Sequence, residues 1–240
     1  MKSFYRFMVF SGSTLFFLTA AFFPAPFHAS VWGNENHPVA DPDSRVEVET
    51  LFQESLRNND YERNKANLER IIHLAPESAY GHFSKGWFWA QDENYSMAVE
   101  EYSIALKMRP TFGEARNNLA SAYFHLGKWE DSIREYEETL RQYPNWSETY
   151  LNLGSAYYKA GHHYASIQSW EKGLQIDGSL VLAHYYLGLT FDKLGRKEEA
   201  RLHYRQFLDA EKDEEAFSEY TTHASERQGD LWIEEGRDRI

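Results

Sequence analysis

A spacing of 34 residues constrains this chain more than any other property. Leu119, Ala120, Tyr123 and Gly127 return as Leu153, Gly154, Tyr157 and Gly161, then as Leu187, Gly188, Phe191 and Gly195. Pro76, Pro110 and Pro144 keep the same interval, and Gly178 takes the next place. Within one period, Leu153, Gly154 and Tyr157 share one helical face, and Ile167, Trp170, Gly173 and Leu174 define a second face after Gly161. Gly127, Gly161 and Gly195 suit the turn between the two helices, because glycine reaches positive φ cheaply. Gly86, Ala120, Gly154 and Gly188 let paired helices approach, and Trp89, Tyr123, Tyr157 and Phe191 are expected to fill the space beside them. Pro110 and Pro144 follow the second helix, where a residue without an N–H ends it. Such a hairpin cannot bury its apolar face alone, so neighbouring hairpins must stack.

This order of large, small, aromatic and Pro positions at a 34-residue period resembles the tetratricopeptide repeat (TPR) family. The resemblance implies an all-α fold: a TPR helical-hairpin solenoid, a right-handed superhelix of about five repeats plus a C-terminal capping helix. The repeats fall at 45–78, 79–112, 113–146, 147–180 and 181–211. Repeat one is degenerate, with Phe52 in the place of Gly or Ala and Asn64 in that of Ala or Ser, as expected of a terminal cap. Residues 212–240 read as a capping helix or degenerate repeat. Phe217, Tyr220, Ala224 and Leu231 lie near helical spacing, and Gly229 is expected to divide off a short last helix with Leu231 and Trp232.

The resemblance also implies a concave groove lined by the first helix of each repeat. Carried onto this sequence, its partner-binding residues are Tyr80, Phe83, Trp87, Asn117, Asn118, Phe124, Leu151, Asn152, Tyr158, Tyr185 and Leu189. Phe83 and Trp87 stand where chaperone-tail-binding members carry a Lys and an Asn, so that specialised role is not expected. Asn118 and Asn152 share one repeat position, and similar Asn ladders hold peptide backbones in some members. Large apolar residues on an exposed face mark interaction sites, although any one aromatic at helical spacing can equally be core.

Ahead of the repeats, Lys2 and Arg6 precede the largely apolar run from Phe7 to Phe23. A charged start and an apolar run read as a secretory signal over residues 1–29, with an uncleaved N-terminal anchor as the alternative. Residues 30–44, with Gly33, Asn34, Pro38 and Pro42, read as a linker. The chain has no Cys, which suits a periplasm better than a disulfide-rich secreted domain. The expected location is therefore the export side of a membrane, periplasmic or secreted.

The net charge of −12 argues against nucleic acid and against anionic lipid surfaces. Residues 1–29 carry two bases and no acid, so a chain cut there has 23 basic and 37 acidic residues, a balance of −14. Glu137, Glu138, Glu198, Glu199, Glu214 and Glu215 read as a solvated outer helix face. No phosphate loop, zinc helix or nucleophile elbow occurs. The adjacent His162 and His163 beside Gly161 read as a solvated turn rather than a metal pair. No catalytic residue, metal or cofactor is expected.

Two functions fit. One is a non-catalytic scaffold or adaptor that binds a peptide or helix of another protein. The other is an accessory subunit of an envelope enzyme complex, or a self-assembling repeat protein. The expected partner is a protein or peptide, with a second copy of the chain as the alternative, and membrane contact only through residues 7–23 if the signal is uncleaved.

Overall fold

The computed structural model describes residues 42–57, 60–210 and 217–238. The signal or anchor reading and most of the linker reading lie outside these residues. Eleven α-helices and no strand occur among the described residues: α1 (Pro42–Arg57), α2 (Tyr61–Leu74), α3 (Ala79–Gln91), α4 (Tyr95–Met108), α5 (Gly113–His125), α6 (Trp129–Gln142), α7 (Ser147–Lys159), α8 (His163–Ile176), α9 (Val181–Lys193), α10 (Lys197–Ala210) and α11 (Ser218–Asp238). α1 starts at Pro42, inside the stretch read as linker. No described helix is long and apolar enough to cross a membrane.

The helix starts repeat because the turn between paired helices repeats. After α3, α5, α7 and α9, the N–H groups of Asn94, Lys128, His162 and Arg196 reach back to the carbonyls of Trp89, Tyr123, Tyr157 and Phe191. Glu93, Gly127, Gly161 and Gly195 donate the inner bonds to Ala90, Phe124, Tyr158 and Asp192. These paired bonds form a Schellman motif, which satisfies the last carbonyls of each first helix and needs a left-handed residue. The three glycines hold φ of 72°, 85° and 71°, and Glu93 is the non-glycine forced to 58°.

In three of these turns a side chain closes over the aromatic five residues earlier. Lys128 lies over Tyr123, His162 meets Tyr157 edge-on, and Arg196 lies over Phe191 at 4.5 Å. The fourth turn differs. Asn94 instead accepts from the Met97 N–H and caps α4, and Trp89 is 36% exposed. The expectation that Trp89 fills space between helices is thereby corrected.

The chain divides into two units, 1–128 and 129–240. In the first, α1 pairs with α2 and α3 with α4, and α5 packs on α4. Gly86 admits the Tyr102 ring so closely that a Cβ would sit 2.7 Å from its Cε1. Repeat one reverses the sizes, with Phe52 in the small place and Leu68 opposite, where later repeats carry Tyr102 or Trp170. Phe52 then gathers Tyr80, Phe83 and Phe112 at ring separations of 4.7, 5.1 and 5.3 Å, all four buried.

In the second unit, α7 pairs with α8 and α9 with α10, α6 packs on α7, and α11 packs on α10. Gly154 takes the buried Trp170, whose Nε1 donates to the Leu151 carbonyl at 3.0 Å. Gly188 receives Tyr204 in the same way. α11 runs unbroken through Gly229, which corrects the expected division there. Its buried Tyr220 sets its ring edge against Tyr185 at 4.8 Å, and Arg227 grips both carboxylate oxygens of Asp192 at 2.7 and 2.8 Å.

Candidate functional site

The residues singled out as a groove separate into those that build a face and those that show on it. In the first unit, Tyr80 and Phe83 belong to the buried Phe52–Phe112 cluster. The Tyr80 hydroxyl accepts from Arg109 Nη1 at 3.0 Å, and Arg109 lies over the Phe112 ring at 4.9 Å. Burial pushes the Tyr80 hydroxyl pKa well up, so it stays a neutral donor and acceptor. Asn117 and Phe124 are buried as well. Asn118 is half-buried and hydrogen-bonds the hydroxyl of Tyr102, so this rung of the expected Asn ladder also ties α5 to α4.

Trp87 is the groove aromatic that stays half-buried in this unit. It sits on α3 with its ring 5.8 Å from Tyr61 and 5.0 Å from Phe88. On α5, His125 stacks flat on Tyr95 at 4.4 Å, and burial pulls its imidazole pKa down to about 4.

In the second unit Leu151 and Tyr185 are buried. Tyr185 is fixed by Tyr220, Phe207 and Tyr186, and its hydroxyl meets His223 Nδ1 at 3.2 Å. Asn152, Tyr158 and Leu189 are half-buried and show on the first-helix face. Tyr158 packs obliquely on Trp170 and His163, with the Lys193 ammonium 5.2 Å from its ring centre. Burial, then the charge of Asp192, pushes its pKa up. In each unit the residues read as partner-binding thus divide into buried ones and half-buried ones. The reason is packing, because a large residue in the first helix is also within reach of the next hairpin.

The acids of α6 are not all idle. Glu137 accepts from the Tyr157 hydroxyl, and Glu138 pairs with Arg141. His162 precedes α8 and His163 opens it, so the pair belongs to a helix start as well as a turn. Among the described residues no group of three or more His, Cys, Asp or Glu is placed to hold a metal ion. Sequence reasoning missed three contacts: Arg109 on Tyr80, Arg227 on Asp192, and the facing rings of His184 and His203. Only the last left a signal, since His82 and His184 share one repeat position.

Models of the tetratricopeptide repeat match residues 50–111, 147–179 and 182–213, and a TPR repeat model matches 120–161. No curated protein matches the sequence. Solved structures of similar fold include MamA, 18% identical, covering 68% of this chain and 93% of that one at a TM-score of 0.56. MamA 41-end from Desulfovibrio magneticus RS-1 is 18% identical over 72% of this chain and 95% of its own, at 0.54. YrrB, a TPR protein with an unusual peptide-binding site, is 17% identical over 77% and 92%, at 0.57.

Proposed function

We propose that this chain, which belongs to the tetratricopeptide repeat family, is a non-catalytic adaptor that holds a peptide or helix of another protein on its first-helix faces. The observation that carries the reading is the set of half-buried side chains Trp87, Asn152, Tyr158 and Leu189, each on a first helix, with Trp87 packed on the buried core and Tyr158 on the buried Trp170. Rigidly backed aromatics with one open side lose little freedom on binding and supply large contact area, which is how interface anchors work. The similarity to YrrB, itself a TPR protein with an unusual peptide-binding site, supports a peptide as the partner. Lys2, Arg6 and the apolar run from Phe7 to Phe23 support placing the adaptor on the export side of a membrane.

The test is affinity capture from an envelope extract with the wild-type chain, Trp87→Ala and Tyr158→Ala side by side. A partner retained by the wild type and lost by either variant, at unchanged melting temperature, agrees with the assignment. A partner held equally by all three places binding elsewhere.

A further inference from the structure

The second unit holds a pair of side chains that the repeat itself makes readable. His184 on α9 and His203 on α10 come three periods after His82 and Glu101. At the earlier place, in the first unit, His82 Nδ1 lies 2.7 Å from a Glu101 oxygen, and a Glu77 oxygen lies 3.8 Å from Nε2. That imidazole thus has a carboxylate on each side. At the later place the carboxylate has become a second imidazole. The two Nδ1 atoms are 3.1 Å apart while the ring centroids are 5.3 Å apart and the planes 26° from parallel. The nitrogens therefore face each other edge to edge.

Only one of two facing ring nitrogens can carry hydrogen. The neutral pair forms one N–H···N bond, and its outward Nε2 can take a first proton without breaking it. A second proton must enter the gap, because the accepting ring has no other lone pair. Two N–H groups and two charges then meet at 3.1 Å. The surroundings do little to offset this. Phe191 lies parallel to the His203 ring at 5.4 Å. Glu199, one turn earlier on α10, is held by Arg196, on which Glu171 of α8 also acts. Burial, then His184, pulls the His203 pKa down to about 4, and burial lowers that of His184.

We propose that the facing imidazoles of His184 and His203 make the α9–α10 hairpin a proton-sensitive joint, closed while one Nδ1 is free of hydrogen and forced open when both rings are charged. α9 also carries Leu189, so opening the joint alters the face it shows. The sign follows from the lowered values. In the closed hairpin these rings bind fewer protons than exposed histidines, which titrate near 6.5. Stability is therefore full above about pH 6.5 and is lost as pH falls toward 4.

The experiment measures amide-exchange protection in α9 and α10 of the full chain at pH 7 and pH 4.5, with α3 and α4 as the internal reference. Wild type is expected to lose about tenfold more protection in α9 and α10 than in the reference, one pKa unit of linkage. His203→Glu rebuilds the repeat-two pair and should cut that excess to about twofold or less. His184→Gln, which removes one of the two charges, should do the same, and serves if the glutamate variant fails to fold. His125→Phe, in the other unit, should leave the loss of protection in α9 and α10 themselves unchanged. Equal loss in wild type and in the His203 and His184 variants, or no selective loss in wild type, overturns the proposal.

Discussion

Glu93 occupies the turn position that later repeats give to glycine, and it holds a φ of 58° to do so. A non-glycine side chain there is strained by about 1 kcal/mol or more, partly offset in glycine by its freer unfolded chain. Glu93→Gly should therefore raise stability by roughly 0.5–1 kcal/mol, measurable as a higher denaturant midpoint at constant slope. Gly154→Ala should act the other way. Its Cβ would lie 2.3 Å from Trp170 Nε1, in a ring that is buried and hydrogen-bonded and so cannot swing aside. Overpacking of this kind costs about 1–3 kcal/mol. The turn glycines were legible in the sequence because only backbone geometry acts on them. Trp89 was not, because its exposure depends on whether the residue five later folds back over the ring, and Asn94 caps a helix instead.

At the scale of helices, period and face were readable from spacing alone, since every hairpin must solve the same burial problem. The ends were harder. Gly229 looks like a break, yet α11 runs through it, because Tyr220, Ala224 and Leu231 keep one buried face on both sides. The Arg227–Asp192 pair that helps dock α11 joins residues 35 apart in no repeated register, so no periodic argument finds it. Both side chains are partly open to water, 27% and 18% exposed, so Arg227→Ala should cost about 1–2 kcal/mol rather than the larger sum of a fully buried pair. A thermal melt with Asp192→Asn as the companion variant measures the coupling. Acid should also weaken the hairpins. His125 and His203 are both held near 4 by burial and are expected near 6.5 when unfolded. The folded chain thus binds fewer protons between these values, and its melting temperature should fall as pH drops from about 6.5 toward 4.

For the molecule as a whole, the 34-residue phase made the family legible but left the binding residues half resolved. Tyr80, Phe83, Phe124, Leu151 and Tyr185 satisfy the same spacing rule as Trp87 and Tyr158 and yet are buried. Spacing gives the side of a helix and says nothing of how far the next hairpin leans over it. Charge was legible as a total and not as a set of roles. Glu137 and Glu138 are engaged within their own unit, whereas Glu69 on α2 and Glu100 on α4 are exposed acids of the second helices. The export proposal is checked by the mass of the mature chain recovered from cell fractions. Loss of residues 1–29 agrees with it, and an intact Met1 on a soluble cytoplasmic chain contradicts it.

The measurement that bears most directly on the adaptor reading is the affinity of a captured partner for four chains: wild type, Trp87→Ala, Tyr158→Ala and the double change Glu69→Gln with Glu100→Gln. Truncating a half-buried anchor commonly costs about 2 kcal/mol, whereas exposed charges act mainly on the encounter rate. Each aromatic truncation should weaken binding by about tenfold or more, with the melting temperature followed in parallel. The acidic double change should leave affinity within about twofold of wild type at moderate salt. If the acidic change weakens the partner more than either aromatic truncation does, the second helices carry the interface and the first-helix faces do not.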